Sequence, residues 1–253
     1  MFNLSPVPVP DLTGKTILVT GAGHGIGAVL VDVLANKGAQ VFAGVIDEPD
    51  PDSAARLKHS TVIQLDVTQQ ANADAAISQI ESEAGQLDAL INNAGIIAPI
   101  GHLATLDSEA FAPAFAVNTI GLHRMVRAAL PMLRTSRGVI VNAGTGAATT
   151  PMEGWAAYCC SKAAARMMTQ MCALELAQDH IQSFFIGIPP TDTDMQGKIR
   201  NAGLNPISKI AQDDLVPPIV PASVMAWLCG LEARKLEECI LDVRDEQFTR
   251  MMS

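Results

Sequence analysis

Short apolar runs alternate with longer segments of helical period along nearly the whole chain. Thr16 to Thr20, Gln40 to Ile46, Thr61 to Leu65, Leu87 to Ile91, Gly138 to Asn142, Ile181 to Ile188 and Cys239 to Val243 read as strands. The first, Thr16-Ile17-Leu18-Val19-Thr20, is continuously apolar in its centre, as a strand buried on both faces must be. Helical spacing covers about Ile26 to Lys37, Ala71 to Ala84, Ser108 to Arg134 and Trp155 to Gln178. Gly38 follows the first helix as a C-cap glycine would. Pro113 and Pro131 fall near the two ends of the third, and Pro131 is expected to bend it. A polar, Pro-containing stretch runs to about Pro221, followed by a helix to about Ala233. Such alternation predicts a parallel sheet covered on both faces by helices. No linker or short repeat divides the chain. Residues 12–253 are read as one doubly wound α/β domain with a mostly seven-stranded parallel sheet, preceded by an extended, Pro-rich arm over residues 1–11.

Charge and composition narrow the partners. The chain has 253 residues, 17 basic and 26 acidic, for a formal net charge of −9. That balance speaks against nucleic acid, which needs clustered cations to neutralise phosphates, and equally against an anionic membrane surface. No uninterrupted apolar stretch of about 20 residues exists to span a bilayer. The first ten residues lack a basic region followed by an apolar run, so no signal peptide is expected. Five cysteines, an odd number without metal-ligand spacing, are expected to be free thiols in a reducing cytoplasm. The five histidines form no cluster, and no metal is expected.

In such a fold, ligands bind beyond the C-terminal ends of the strands. The first strand is followed by Thr20-Gly21-Ala22-Gly23-His24-Gly25-Ile26-Gly27. Glycines let a ligand approach the backbone, and the helix that follows offers free N–H groups and a positive dipole end to a pyrophosphate. The spacing is neither G-x-G-x-x-G nor that of a Walker loop. Further on, Tyr158, the sole tyrosine, stands one helical turn before Lys162. Positions so spaced share a helix face. A phenol of pKa near ~10 is a poor base at neutral pH. An adjacent ammonium would favour its phenolate and make it a proton-transfer group.

Thr20-Gly21-x-x-x-Gly25-Ile26-Gly27, Asn92-Asn93-Ala94-Gly95, Asn118 and Tyr158-x-x-x-Lys162 stand in the order and spacing of the short-chain dehydrogenase/reductase family. The chain resembles that family from about Leu12 to Val243, which implies a Rossmann-type fold. Gly154-Trp155-Ala156-Ala157-Tyr158-Cys159 and Asp192-Thr193-Asp194-Met195-Gln196 look like its sepiapterin reductase and benzil reductase branch. The resemblance implies hydride transfer between a nicotinamide ring and a carbonyl carbon. Tyr158 would give or take the proton on oxygen. Lys162 would lower the tyrosine's pKa and hold the ribose, and Asn118 would hold a water linking Lys162 to solvent. The cofactor would lie along Gly21, Gly23, His24, Gly25, Ile26, Gly27, Asp66, Val67, Asn93, Ala94, Gly95, Thr191 and Thr193, with Tyr158 and Lys162 at its nicotinamide end.

Two positions depart from the family pattern. Thr145 stands where the family has a serine that donates to the substrate oxygen. It keeps the hydroxyl and adds a methyl that crowds the site. Ile188-Pro189-Pro190 replaces the usual Pro-Gly, so an N–H that would face the nicotinamide amide is lost. These departures leave open an alternative: a catalytically weak sensor that binds the dinucleotide without turnover.

Cofactor choice is expected to rest on the segment after the second strand. Asp47, Glu48 and Asp50 stand there with no base until Arg56. A carboxylate at this place binds a ribose 2′-hydroxyl and repels a 2′-phosphate, so NAD is predicted over NADP, although the family acid usually falls where Val45 stands. Ala147, Met152, Trp155, Met195 and Ile199 are expected to wall the substrate pocket. No Arg or Lys lies within 143–157, which suits an uncharged, moderately apolar ketone or secondary alcohol. Small residues at 163–165 with Met167, Met168 and Met171 suit helix packing in a homodimer or homotetramer.

Overall fold

A computed structural model describes residues 3–252; Met1, Phe2 and Ser253 lie outside the described residues. Seven parallel strands form one sheet: β1 (Thr16–Thr20), β2 (Gln40–Val45), β3 (Thr61–Gln64), β4 (Ala89–Asn92), β5 (Val139–Thr145), β6 (Gln182–Ile188) and β7 (Ile240–Asp242). Their spatial order is β3-β2-β1-β4-β5-β6-β7. The chain reverses direction across the sheet between β1 and β4, and a crevice opens at that switch point.

Helices cover both faces: α1 (Gly25–Asn36), α2 (Pro51–Leu57), α3 (Gln70–Ala84), α4 (Ala112–Phe115), α5 (Leu122–Ser136), α6 (Ala156–Glu175), α7 (Asp194–Ala202), α8 (Ile219–Trp227) and α9 (Glu246–Thr249). One apolar core joins α1 and α8 to the sheet through Ile17, Val19, Leu30, Val31, Val224 and Met225. The other joins α3, α5 and α6 through Leu18, Phe42, Ile80, Leu90, Met125 and Leu133. Side chains alternate across each strand, so a fully buried strand feeds both cores in turn. In the segment before β1, Val7 is buried in the first core, and its N–H donates to Ser223 Oγ at 2.9 Å.

The structure departs from the expected elements at four places. The third helix is not continuous. A 3-10 turn (Ser108–Phe111) and α4 lead into a π-helical turn (Ala116–Gly121) before α5. The wide turn coincides with Asn118, which is buried and bonded away from the helix. Pro131 lies inside α5 without ending it. β5 extends to Thr145 rather than stopping at Asn142, because β6 pairs with it to the end, Thr145 opposite Ile188. Gly144 permits this: a Cβ there would lie 2.2 Å from the Phe185 ring. The stretch expected to be irregular contains α7, and α2 follows Asp50, whose carboxylate caps Asp52 and Ser53.

Candidate active site

A cleft of about 660 Å³ opens along the C-terminal ends of β1, β4, β5 and β6, within the usual range for a cofactor or ligand site. Gly21, His24, Gly25 and Ile26 line one end. Gly21 and Gly25 have φ of 63° and 56°, the left-handed region that favours glycine. A Cβ on Gly21 would lie 2.7 Å from Ala94 Cα, and one on Gly27 would lie 2.2 Å from Gly21 O. Gly27 is therefore a packing glycine behind the turn, not part of the cleft wall. Gly23 is not in the wall either; it packs near Val45 and the Asp47 carbonyl. His24 precedes α1 without capping it through its side chain, so the N–H groups of the first turn carry no side-chain cap. Free donors at the start of a twelve-residue helix, beside glycines that leave the backbone bare, fit a pyrophosphate.

Asn93 acts chiefly as a tie. Its Nδ2 donates to Gly21 O at 2.9 Å, while its backbone N–H and that of Ala94 donate to Thr20 Oγ1. This holds the β4 exit against the glycine turn. Leu65, Asp66, Val67 and Thr68 line the far end with Ile46. Asp66 also closes its own turn, accepting from Thr68 N and Oγ1. Asp47 departs from expectation: it is exposed and absent from the cleft wall, where Ile46 stands instead. The strand end that would orient a carboxylate into the cleft is held by buried Val45.

At the opposite end Tyr158 and Lys162 line the same cleft with Thr145. Tyr158 lies in a small apolar cluster with Ile97, Ala147, Trp155 and Ile199. The Trp155 ring meets it edge-on, with centroids 5.8 Å apart. Burial pushes the phenol up to about 12, and a hydrogen bond with the Thr145 side chain works in the lowering direction. Burial takes Lys162 down to about 8, and its Nζ donates to Ala143 O at 2.8 Å. Desolvation is the larger influence on the phenol. The phenol is protonated at neutral pH, which is the form that can donate to a carbonyl oxygen.

Asn118 lies behind the cleft wall, not in it. Its Oδ1 accepts from Ile96 N, and its Nδ2 donates to Ile96 O and to Ser161 Oγ. It clamps the β4 exit loop to α6 one residue before Lys162. Asn118 and Lys162 also border a small cavity of about 10 Å³ with Asn92. Asn92 Oδ1 is buried and has no partner. A polar cavity of that size takes one water.

Ala147, Met152, Trp155, Met195 and Ile199 all line the cleft, as do Thr191 and Thr193. Sequence reasoning did not select Thr150, Gln196, Ile207 and Arg244, which line it too. Arg244 follows the last strand, and only the closure of the sheet brings it there. Among the described residues, no group of His, Cys, Asp and Glu could hold a metal ion, and no helix is long and apolar enough to cross a membrane.

The profile described as short chain dehydrogenase matches residues 15–203. This chain belongs to the short-chain dehydrogenase family. It is 35% identical over 231 residues to the 2,3-dihydro-2,3-dihydroxybenzoate dehydrogenase of Bacillus subtilis, covering 89% of this chain and 84% of that protein. It is 31% identical over 239 residues to a benzil reductase ((S)-benzoin forming) of Saccharomyces cerevisiae, covering 85% and 90% respectively. This likeness agrees with the benzil reductase-like branch suggested by the Gly154 to Cys159 string. A solved short-chain dehydrogenase/reductase from Saccharomyces cerevisiae superposes with a TM-score of 0.86 at 26% identity, covering 94% of this chain and all of that one. The chain is thus an oxidoreductase of a family that acts on CH–OH and C=O groups and binds a nicotinamide cofactor.

Proposed function

We propose that the chain reduces an apolar ketone, or oxidises the matching secondary alcohol, with NAD in preference to NADP. The observation that carries this reading is the meeting of Tyr158, Thr145 and Lys162 in one cleft with the glycine turn. The bound dinucleotide supplies the hydride or accepts it. The chain's own residues do the rest. Gly21, Gly25 and the open first turn of α1 hold the pyrophosphate, and Lys162 holds the ribose. Thr145 and Tyr158 grip the substrate oxygen, and Tyr158 donates its proton as charge develops there. Ile97, Ala147, Met152, Trp155 and Ile199 exclude water around the carbonyl, so its immediate flanks are uncharged and apolar.

The preference for NAD rests on the wall at the adenosine end. His24, Ile46, Leu65, Asp66, Val67 and Thr68 line it, and none is Arg or Lys. A 2′-phosphate would find no cation there, and Asp47 and Glu48 lie just beyond. The presence of Thr145, Tyr158 and Lys162 together in the cleft favours an enzyme over a dinucleotide sensor. A panel of ketones and alcohols followed by nicotinamide absorbance with both cofactors tests this. Turnover with NADH at lower KM than NADPH is expected. A folded chain that binds NADH and turns over none of the panel is the sensor.

The same reading extends to assembly as a homodimer or homotetramer. Met167, Met171 and Leu174 are exposed at helical spacing along α6, 57%, 42% and 73% accessible. Such a stripe fits a second copy of this helix. Light scattering of Met171→Glu against wild type should show a smaller species for the variant.

A further inference from the structure

One charged side chain in the cleft has no part in the reaction so far described. Arg244 lies at the exit of β7, on the edge strand beyond β6. Gly187 pairs with Asp242, Val243 N donates to Gly187 O at 2.9 Å, and Arg244 follows in the turn that Asp245 N closes onto Asp242 O. Leu241 and Val243 enter the core beneath α1 and α8. Asp242 and Arg244 lie outside that core, and Arg244 lines the cleft.

The guanidinium is held in place rather than waving. Its Nε donates to Asp242 Oδ1 at 2.6 Å and its Nη2 to Asp242 Oδ2 at 2.7 Å. That bidentate grip fixes the plane of the fork and leaves Nη1 and the second Nη2 hydrogen without a protein partner. The side chain is 48% accessible. Around it the cleft offers Pro189 and Pro190, which present no N–H at all. The cleft is thus apolar around Tyr158 and carries one oriented pair of donors on Arg244.

We propose that Arg244 binds a carboxylate on the part of the substrate remote from the reacting carbonyl, so that the preferred substrates are apolar keto acids. This deepens the carbonyl-reductase reading and rests on it. Asp242 is the positioning residue for the guanidinium. The bound anion shares it with Asp242, as carboxylates flanking one arginine do when each takes its own edge.

The test compares 1-phenylpropane-1,2-dione with its para-carboxylate, in wild type, Arg244→Gln and Arg244→Lys. Wild type is expected to show the lower KM for the carboxylate. Arg244→Gln should raise that KM roughly ten- to hundredfold, the worth of hydrogen bonds to a charged group, and leave the neutral dione unchanged. Arg244→Lys should recover only part of the loss, since the ammonium lacks the fork. The unchanged neutral dione also certifies folding. Calorimetry of the para-carboxylate binding to each variant in the presence of the oxidised cofactor gives the same comparison without turnover. Equal KM values for the two diones in wild type overturn the proposal. So does weaker NADH binding in Arg244→Gln without any change in carboxylate selectivity, which would assign the guanidinium to the cofactor's phosphates. Failure of both diones to turn over would sink the reductase reading, while calorimetry would still decide whether Arg244 binds the anion.

Discussion

Lys162 should cost the fold stability that its chemistry requires. The side chain is 6% accessible, and burial takes its ammonium from the usual lysine range to about 8. That gap corresponds to about 3 kcal/mol against the charged form. Lys162→Met removes the buried charge at similar length but orphans Ala143 O, which returns about 1 kcal/mol. The variant should gain about 2 kcal/mol at neutral pH, or roughly 4–8 °C in Tm. The pH dependence fixes the cause. A lysine depressed in the native state binds fewer protons there than when unfolded between about 8 and the ordinary value near ~10.4, so wild-type stability rises with pH across that window. The advantage of the variant should be full below about 8 and fade above it. Thermal unfolding of both chains without cofactor, from neutral to alkaline pH, reads this directly. A variant less stable than wild type at neutral pH, or a gap indifferent to pH, would refute the argument. The variant should also bind the dinucleotide more weakly, having lost the group that holds the ribose.

Thr145→Val keeps the shape of the side chain and deletes the hydroxyl that it brings to the cleft beside Tyr158. It should lower kcat roughly a hundredfold or more with little change in NADH affinity, the usual effect of losing one oxyanion donor; stopped-flow single turnovers and cofactor fluorescence would show it. Asn118→Ala removes two bonds to Ile96 and one to Ser161. Ile96 is left unclamped, so stability should fall by about 2–3 kcal/mol in denaturant unfolding, with a rise in KM from the loosened β4 exit.

Much of the fold was legible because its signals are local. Fully buried parallel strands read as apolar runs, and a glycine turn between strand and helix can do few things. The site motifs were legible for the same reason: Tyr158 and Lys162 share one helix, and Gly21 to Gly27 form one turn. What escaped depends on contacts distant in sequence. The π-helical turn at Asn118 follows from bonds to Ile96, 22 residues away. The extension of β5 to Thr145 needs β6 beside it. The exclusion of Asp47 follows from where the β2 exit points, which composition does not encode. Arg244 reaches the cleft only when the edge strand closes the sheet. Spacing reveals an ammonium one turn from Tyr158, but not how thoroughly both groups are dried. The capped start of α2 at Asp50-Pro51 is a local signal that the sequence reading passed over in favour of the acids' role at the cofactor.

The central claim is that the Tyr158 phenol delivers the proton to the substrate oxygen. A single-turnover reduction of 1-phenylpropane-1,2-dione by bound NADH, in wild type and Tyr158→Phe, tests it most directly. The account predicts NADH binding within about twofold of wild type and a fall in hydride transfer of at least ~10³-fold, at the upper part of what general acid catalysis contributes. A phenylalanine variant that binds NADH and transfers hydride at near the wild-type rate would contradict it.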